Sequence, residues 1–236
     1  MDAADIQSAN QNLSIQAENS LSLQNAKVQT AGQNTQALNI TASELNTSNA
    51  QILNSAQTTI KANHWENTAG QVSANALNAQ VTGNLDNQNA ILASTHDINI
   101  QTGILDNQKG LIYSNQGNVT INVQNALDNG SSTDTAGQII AKQNADITAN
   151  QLQNSGSIYA NKLTQVKSSV LSNTGLIASE NDVQLNVDQL QNSGKLIAGM
   201  SEKGDLLNQG KLNIQANQTV QSSGTQIAVI YLKLQV

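Results

Sequence analysis

Apolar residues in this chain recur on two scales. On the shorter scale they alternate with polar ones: residues 97–100 read DINI, 118–123 NVTINV, 145–149 ADITA, 182–187 DVQLNV and 212–216 LNIQA. A period of two, carried by Val, Ile and Thr, predicts short strands with one buried face. No stretch shows the 3.6-residue period of an amphipathic helix. On the longer scale a second unit returns. Residues 65–74 read WENTAGQVSA, 85–94 LDNQNAILAS, 105–114 LDNQKGLIYS, 152–160 LQNSGSIYA, 171–178 LSNTGLIA and 190–198 LQNSGKLIA. The units start at 45, 65, 85, 105, 127, 152, 171, 190 and 206, with separations of 20, 20, 20, 22, 25, 19, 19 and 16 residues. An insertion at about 130–135 accounts for the widest step, and a shortened last copy for the narrowest.

Two short strands per unit, joined by Asn, Gly, Ser and Asp turns, cannot bury a face alone. Stacking each unit on the next does bury it. The expected fold is therefore all-β: a single-stranded parallel β-helix, or solenoid, of ~20-residue coils. A leucine-rich repeat would need a helix or its equivalent in each turn. A β-sandwich would use antiparallel hairpins and would not repeat near-identical strands. The fixed spacing also sets aside disorder, the other state open to an amide-rich chain.

The stack gives the composition a physical cause. Asn and Gln account for 64 of the 236 residues. In a parallel stack like residues sit above one another at about 4.8 Å. An amide there donates to one neighbour and accepts from the other. The column Asn67, Asn87, Asn107, Asn129, Asn154, Asn173, Asn192 and Asn208, two places after each start, is read as a structural ladder inside the coil or lining its turn. The series Gly70, Gly110, Gly137, Gly156, Gly175, Gly194 and Gly210 is expected to mark a positive φ or a tight corner. Pro is absent, as suits strands whose every N–H bonds a neighbouring coil. One place after the start, Glu66, Asp86, Asp106 and Asp128 form a candidate acidic surface column, with carboxylates about 5 Å apart. A solvated face is the plain reading; a weak cation site or a contact for a protein or carbohydrate partner are the functional ones. Trp65, in the same frame, is expected to fill the inward Leu slot, and Tyr113 and Tyr159 to form a surface aromatic pair two coils apart.

Reactive chemistry is sparse. The chain has no Cys, no Arg, two His and a formal charge of −6. That excludes a disulfide scaffold, a thiolate nucleophile and a Cys-based metal site, and argues against a nucleic-acid partner. His64 and His96 lie at different offsets within their units and read as separate turn residues. No G-x-S-x-G, P-loop, G-x-G-x-x-G or H-E-x-x-H motif occurs, nor the GGxGxD nonapeptide of calcium-binding β-rolls. The expectation is no catalytic residue, no cofactor and no metal site. No apolar run reaches transmembrane length, so no membrane insertion is expected, and the first five residues are not the basic start of a signal peptide.

The pattern Leu-x-Asn-x-Gly-x-Ile-x-Ala followed by a short Val/Ile strand resembles the haemagglutinin repeat of the filamentous haemagglutinin family, the exoproteins of bacterial two-partner secretion. The resemblance covers residues 45–216; 1–44 match weakly as N-terminal coils, and 217–236 are expected to form an irregular last coil or capping strand of the same continuous domain. It implies a right-handed β-helical shaft, secreted through an outer-membrane transporter and displayed at the bacterial cell surface, where a host or bacterial glycan or protein is the implied contact. A chain without Cys suits unfolded export through an oxidising periplasm. The Arg-Gly-Asp and Val-Glu-Asn-Asn sequences of two branches of that family are absent. The chain is expected to be a shaft segment of an adhesin. The stalk of a contact-dependent growth-inhibition toxin is the first alternative, and a β-helical polysaccharide-active enzyme the second.

Overall fold

The computed structural model describes residues 4–9, 11–30, 36–130, 136–228 and 231–235. The strand pairings are parallel, no helix occurs among the described residues, and the one antiparallel contact there is a bridge between Met200 and Leu206. The chain winds into a solenoid because the period-two segments sort their faces. In Gln57–Ala62 the side chains of Thr58, Ile60 and Ala62 are buried, while Gln57 and Lys61 are exposed.

The coils build two sheets. An 11-stranded sheet takes one short strand from each coil, from Asp5–Ser8 to Thr225–Ala228. At about 4.8 Å per step those strands extend the stack to roughly 50 Å. A 16-stranded sheet has two wings that meet at a crease. In the N-terminal coils the wings are separate strands, such as Ala76–Val81 and Asn84–Asp86 on either side of Thr82-Gly83. From Val119–Asn129 onward one 11-residue strand crosses the crease, as in Asn144–Asn154, Leu163–Asn173 and Asp182–Asn192.

One inward column fixes the frame: Leu21, Leu45, Trp65, Leu85, Leu105, Leu127, Leu152, Leu171, Leu190 and Val220 lie in register. Its Leu members from Leu45 to Leu190, and Trp65, are buried. At roughly 1.5–3 kcal/mol for each fully buried Leu, Ile or Val, such columns supply most of the driving force.

The start expected at 206 needs correction. Leu206 is exposed on an excursion between Ala198 and Lys211, and Val220 takes the Leu slot instead. The letters LLNQGKL imitate the repeat, but Gly199, Gly204 and Gly210, at φ 81, 89 and 102, turn this segment out of the stack. At both ends the chain continues the same stack. Ser20–Ser22 pairs with Glu44–Asn46, and Lys211–Ser222 runs straight through residue 216. Tyr231–Gln235 then adds a further strand in parallel register. Of the two reasons expected for the glycine series, positive φ holds only at Gly210, and the tight corner accounts for the rest. The others lie where a Cβ would strike the coil before, as Gly156 does against the Gly137 carbonyl. The expected surface pair of tyrosines is also corrected: Ile140 separates Tyr113 from Tyr159 in register, and Tyr159 is buried. It packs with Ala178 and Ile197 beneath the excursion, and its hydroxyl donates to the Met200 carbonyl at 3.1 Å. A Lys142–Glu202 ion pair of 2.5 Å holds the excursion's far side. The insertion expected at 130–135 lies, apart from Gly130, outside the described residues.

Candidate functional site: a polar column inside the rod and an acidic one outside

Where each coil leaves the second sheet, Asn67, Asn87, Asn107, Asn129, Asn154, Asn173 and Asn192 point inward and are buried. They form one directed chain. Each Nδ2 donates to the Oδ1 of the next Asn toward the C-terminus, at 2.9 Å for Asn67 to Asn87 and 2.7 or 2.8 Å for every later step. The chain starts at Thr47, whose hydroxyl donates to Asn67 Oδ1 at 2.7 Å and itself accepts from Trp65 Nε1 at 2.8 Å. It ends at Ser222, which accepts from Asn192 at 3.1 Å. Trp65 is thus the fully buried Leu-slot occupant whose indole closes the ladder's open end. Asn208 is not a member: it lies exposed on the excursion, and Ser222 occupies the position assigned to it. Thr47 and Ser222 were the members that a search for Asn could not find, although both stand two places after an inward Leu or Val.

The ladder is structural chemistry. A buried amide without partners costs about 1–3 kcal/mol per stranded group, so seven Asn are tolerable inside only because each satisfies the next.

Glu66, Asp86, Asp106 and Asp128 stand in register one place earlier and face outward, half-buried. Asn46 precedes them and Gln153, Ser172 and Gln191 follow. Amide donors interleave the carboxylates. Asn46 Nδ2 donates to Glu66 at 3.0 Å, Gln88 Nε2 to Asp106 at 2.8 Å, and Gln108 Nε2 to Asp128 at 3.2 Å. The backbone N–H groups of Gln88 and Gln108 add bonds of 2.9 and 3.0 Å to Asp86 and Asp106. Partial burial pushes the Asp86 carboxyl above its ordinary value; the Gln88 N–H opposes this, and Asp106 and Glu66 add to it. Burial, with Asp106 beside it, does the same to Asp128. Gln88 and Gln108 thus bridge the column from coil to coil, while among the described residues Asp128 Oδ1 is buried without a hydrogen-bond partner.

The histidines stay apart in role. His64 is half-buried in the strand His64–Glu66, and His96 is an exposed turn residue with Nδ1 2.8 Å from Asn75 Oδ1. Among the described residues no group of three or more His, Asp or Glu side chains comes together in a metal-binding arrangement. No family model, curated protein or solved structure matches this chain.

Proposed function

We propose that this chain is a shaft segment of a bacterial adhesin, secreted through an outer-membrane transporter and displayed at the cell surface, with a mechanical rather than a catalytic role. The observation that supports the reading is the continuity of the rod: two sheets and one buried ladder run through successive coils without a break between units. A structure of this kind converts chain length into reach. The export route and the surface location are supported by the resemblance of Leu-x-Asn-x-Gly-x-Ile-x-Ala to the haemagglutinin repeat.

The test is on cells. An epitope tag placed in the excursion at residue 204 should be detected on intact bacteria and removed by external protease without lysis. Deleting residues 85–104, one whole coil, should preserve the fold and shorten the rod by about 4.8 Å. A tag that stays inside the cell with its transporter present would overturn the reading.

A further inference from the structure

Along the crease of the second sheet runs an external groove of about 690 Å³, parallel to the axis and reaching from Gln80 to Asp188. One wall is a register column: Gln80, Gln101, Asn122, Thr148, Lys167 and Asn186. Gln124 and Asn150 also line the groove. The groove exists because the chain bends there on every coil, sharply at Gly83 and Gly103, where a Cβ would strike the backbone of the coil before.

Several corner amides elsewhere on the rod are spent on bonds between coils: Asn63 donates to Ser43 at 2.9 Å, Asn118 to Asp97 at 3.1 Å and Asn161 to Glu180 at 2.9 Å. Among the described residues the side chains of Gln80, Gln101, Asn122 and Asn186 have no hydrogen-bond partner in the protein. The groove therefore presents open donors and acceptors, one set per coil.

We propose that the crease is a docking groove for an extended, uncharged polysaccharide. The chemistry of the wall selects it. Amides and hydroxyls offer neutral donors and acceptors, and the groove's charges, Lys167 and Asp188, are opposite in sign. A chain of net charge −6 repels a polyanion. The pitch argues against a peptide: coils repeat at about 4.8 Å, whereas an extended peptide rises about 3.3 Å per residue. A peptide strand also needs a free sheet edge, and the backbone here is already paired on both sides. A glycan carries hydroxyls around its length and engages such a wall through side chains alone.

Native gels containing dextran, yeast mannan or hydroxyethyl cellulose test this, with alginate as the charged comparison. At least one neutral polymer should retard the protein. The double variant Gln101→Ala/Asn122→Ala should weaken the apparent affinity about tenfold while keeping its sheet spectrum. Gln51→Ala/Gln138→Ala, on the outer face of the other sheet, should bind as the unaltered chain does. No retardation by any of the three neutral polymers, equal retardation of the groove variant, or preference for alginate would overturn the groove. None of these outcomes touches surface display, which is read on cells.

Discussion

The two halves of the rod solve the same corner differently. After the ladder Asn, the N-terminal coils take five steps to the next inward residue, as from Asn87 to Leu92; the later coils take four, as from Asn154 to Ile158. The longer corner closes on itself, Gly70 N–H bonding the Asn67 carbonyl at 2.8 Å, and it puts Asn25, Asn49, Ala69, Asn89 and Lys109 at φ values of 54–59. The shorter corner bonds the coil before it: Gly156 N–H reaches the Asn129 carbonyl at 2.9 Å and Gly175 N–H the Asn154 carbonyl at 3.1 Å. Its glycines stack directly on one another, and none needs a positive φ. One residue fewer removes left-handed backbone and turns an intra-coil bond into an inter-coil one. The later half also has the continuous 11-residue strands, and its ladder Asn, like Asn107 before them, reach backbone carbonyls as well as one another, such as Asn154 Nδ2 to Leu176 O at 3.1 Å. Neighbouring coils are more tightly coupled there.

The sharpest way to break this comparison is to remove one ladder member from each half. Asn154→Leu strands Asn173 Oδ1 and takes one partner each from the Leu176 carbonyl and from Asn129 Nδ2, which keeps Ser157 O, and should cost about 3–5 kcal/mol; Asn87→Leu strands Asn67 Nδ2 and Asn107 Oδ1 and should cost about 2–4 kcal/mol. Urea titrations followed by circular dichroism rank them. Equal losses would mean that the extra carbonyl contact contributes nothing. Next in size is Trp65→Leu. The slot accepts Leu in the coils on either side, but the change leaves a cavity and takes the indole from Thr47, so a loss of about 2–3 kcal/mol is expected in the same titration.

A smaller effect has the opposite sign. Ala69→Gly relieves left-handed strain of ~1 kcal/mol, partly offset by the greater entropy Gly loses on folding, so stability should rise by about 0.5 kcal/mol. Ser155→Gly, in the shorter corner, should give no gain, and a calorimetric scan of both variants separates them. The smallest effect belongs to the acidic column of the first half. Burial raises the Asp86 and Asp128 carboxyls above the ordinary 3.8, so the native state holds their protons more tightly than the unfolded one. Their contribution to stability therefore grows as pH falls through the raised values toward 3.8, and is lost as pH rises again. Asp86→Asn/Asp128→Asn copies Asn46, whose Oδ1 already accepts the Ser48 N–H at 2.8 Å. It should raise the melting temperature at pH 7 and flatten its dependence on acid pH. A steeper acid dependence in the variant would contradict the assignment.

The solenoid was legible because its period lies in side chains that must face one way on every coil. Leu85, Leu105, Leu152 and Leu171 announce the frame, and the Asn two places later announces the ladder. The misreadings fall where a position is fixed by shape rather than by letter. Val220 and Ser222 do the work of Leu and Asn with different residues, while the excursion carries the expected letters outside the stack. Positive φ fell on Ala69 and Lys109, which no glycine search finds. The acidic column was visible as four carboxylates, but Gln88 and Gln108 reach across coils, and only geometry shows that the charges are interleaved. The crease groove left no motif, since its walls come from a bend repeated over many coils.

The register column also behaves as a ruler that counts turns and ignores chain. Leu171 to Leu190, Leu105 to Leu127, Leu127 to Leu152 and Leu190 to Val220 each advance the axis by one rung, although the lengths of chain between them differ widely. The excursion after Ala198 leaves the stack and rejoins it at Lys211 on the next rung, and closing a longer loop costs only about 0.6 kcal/mol per doubling of its length. Width and length are thus independent variables in this molecule. A lineage, or an engineer, can lengthen a corner to add a new surface at a chosen height without moving any other height on the rod.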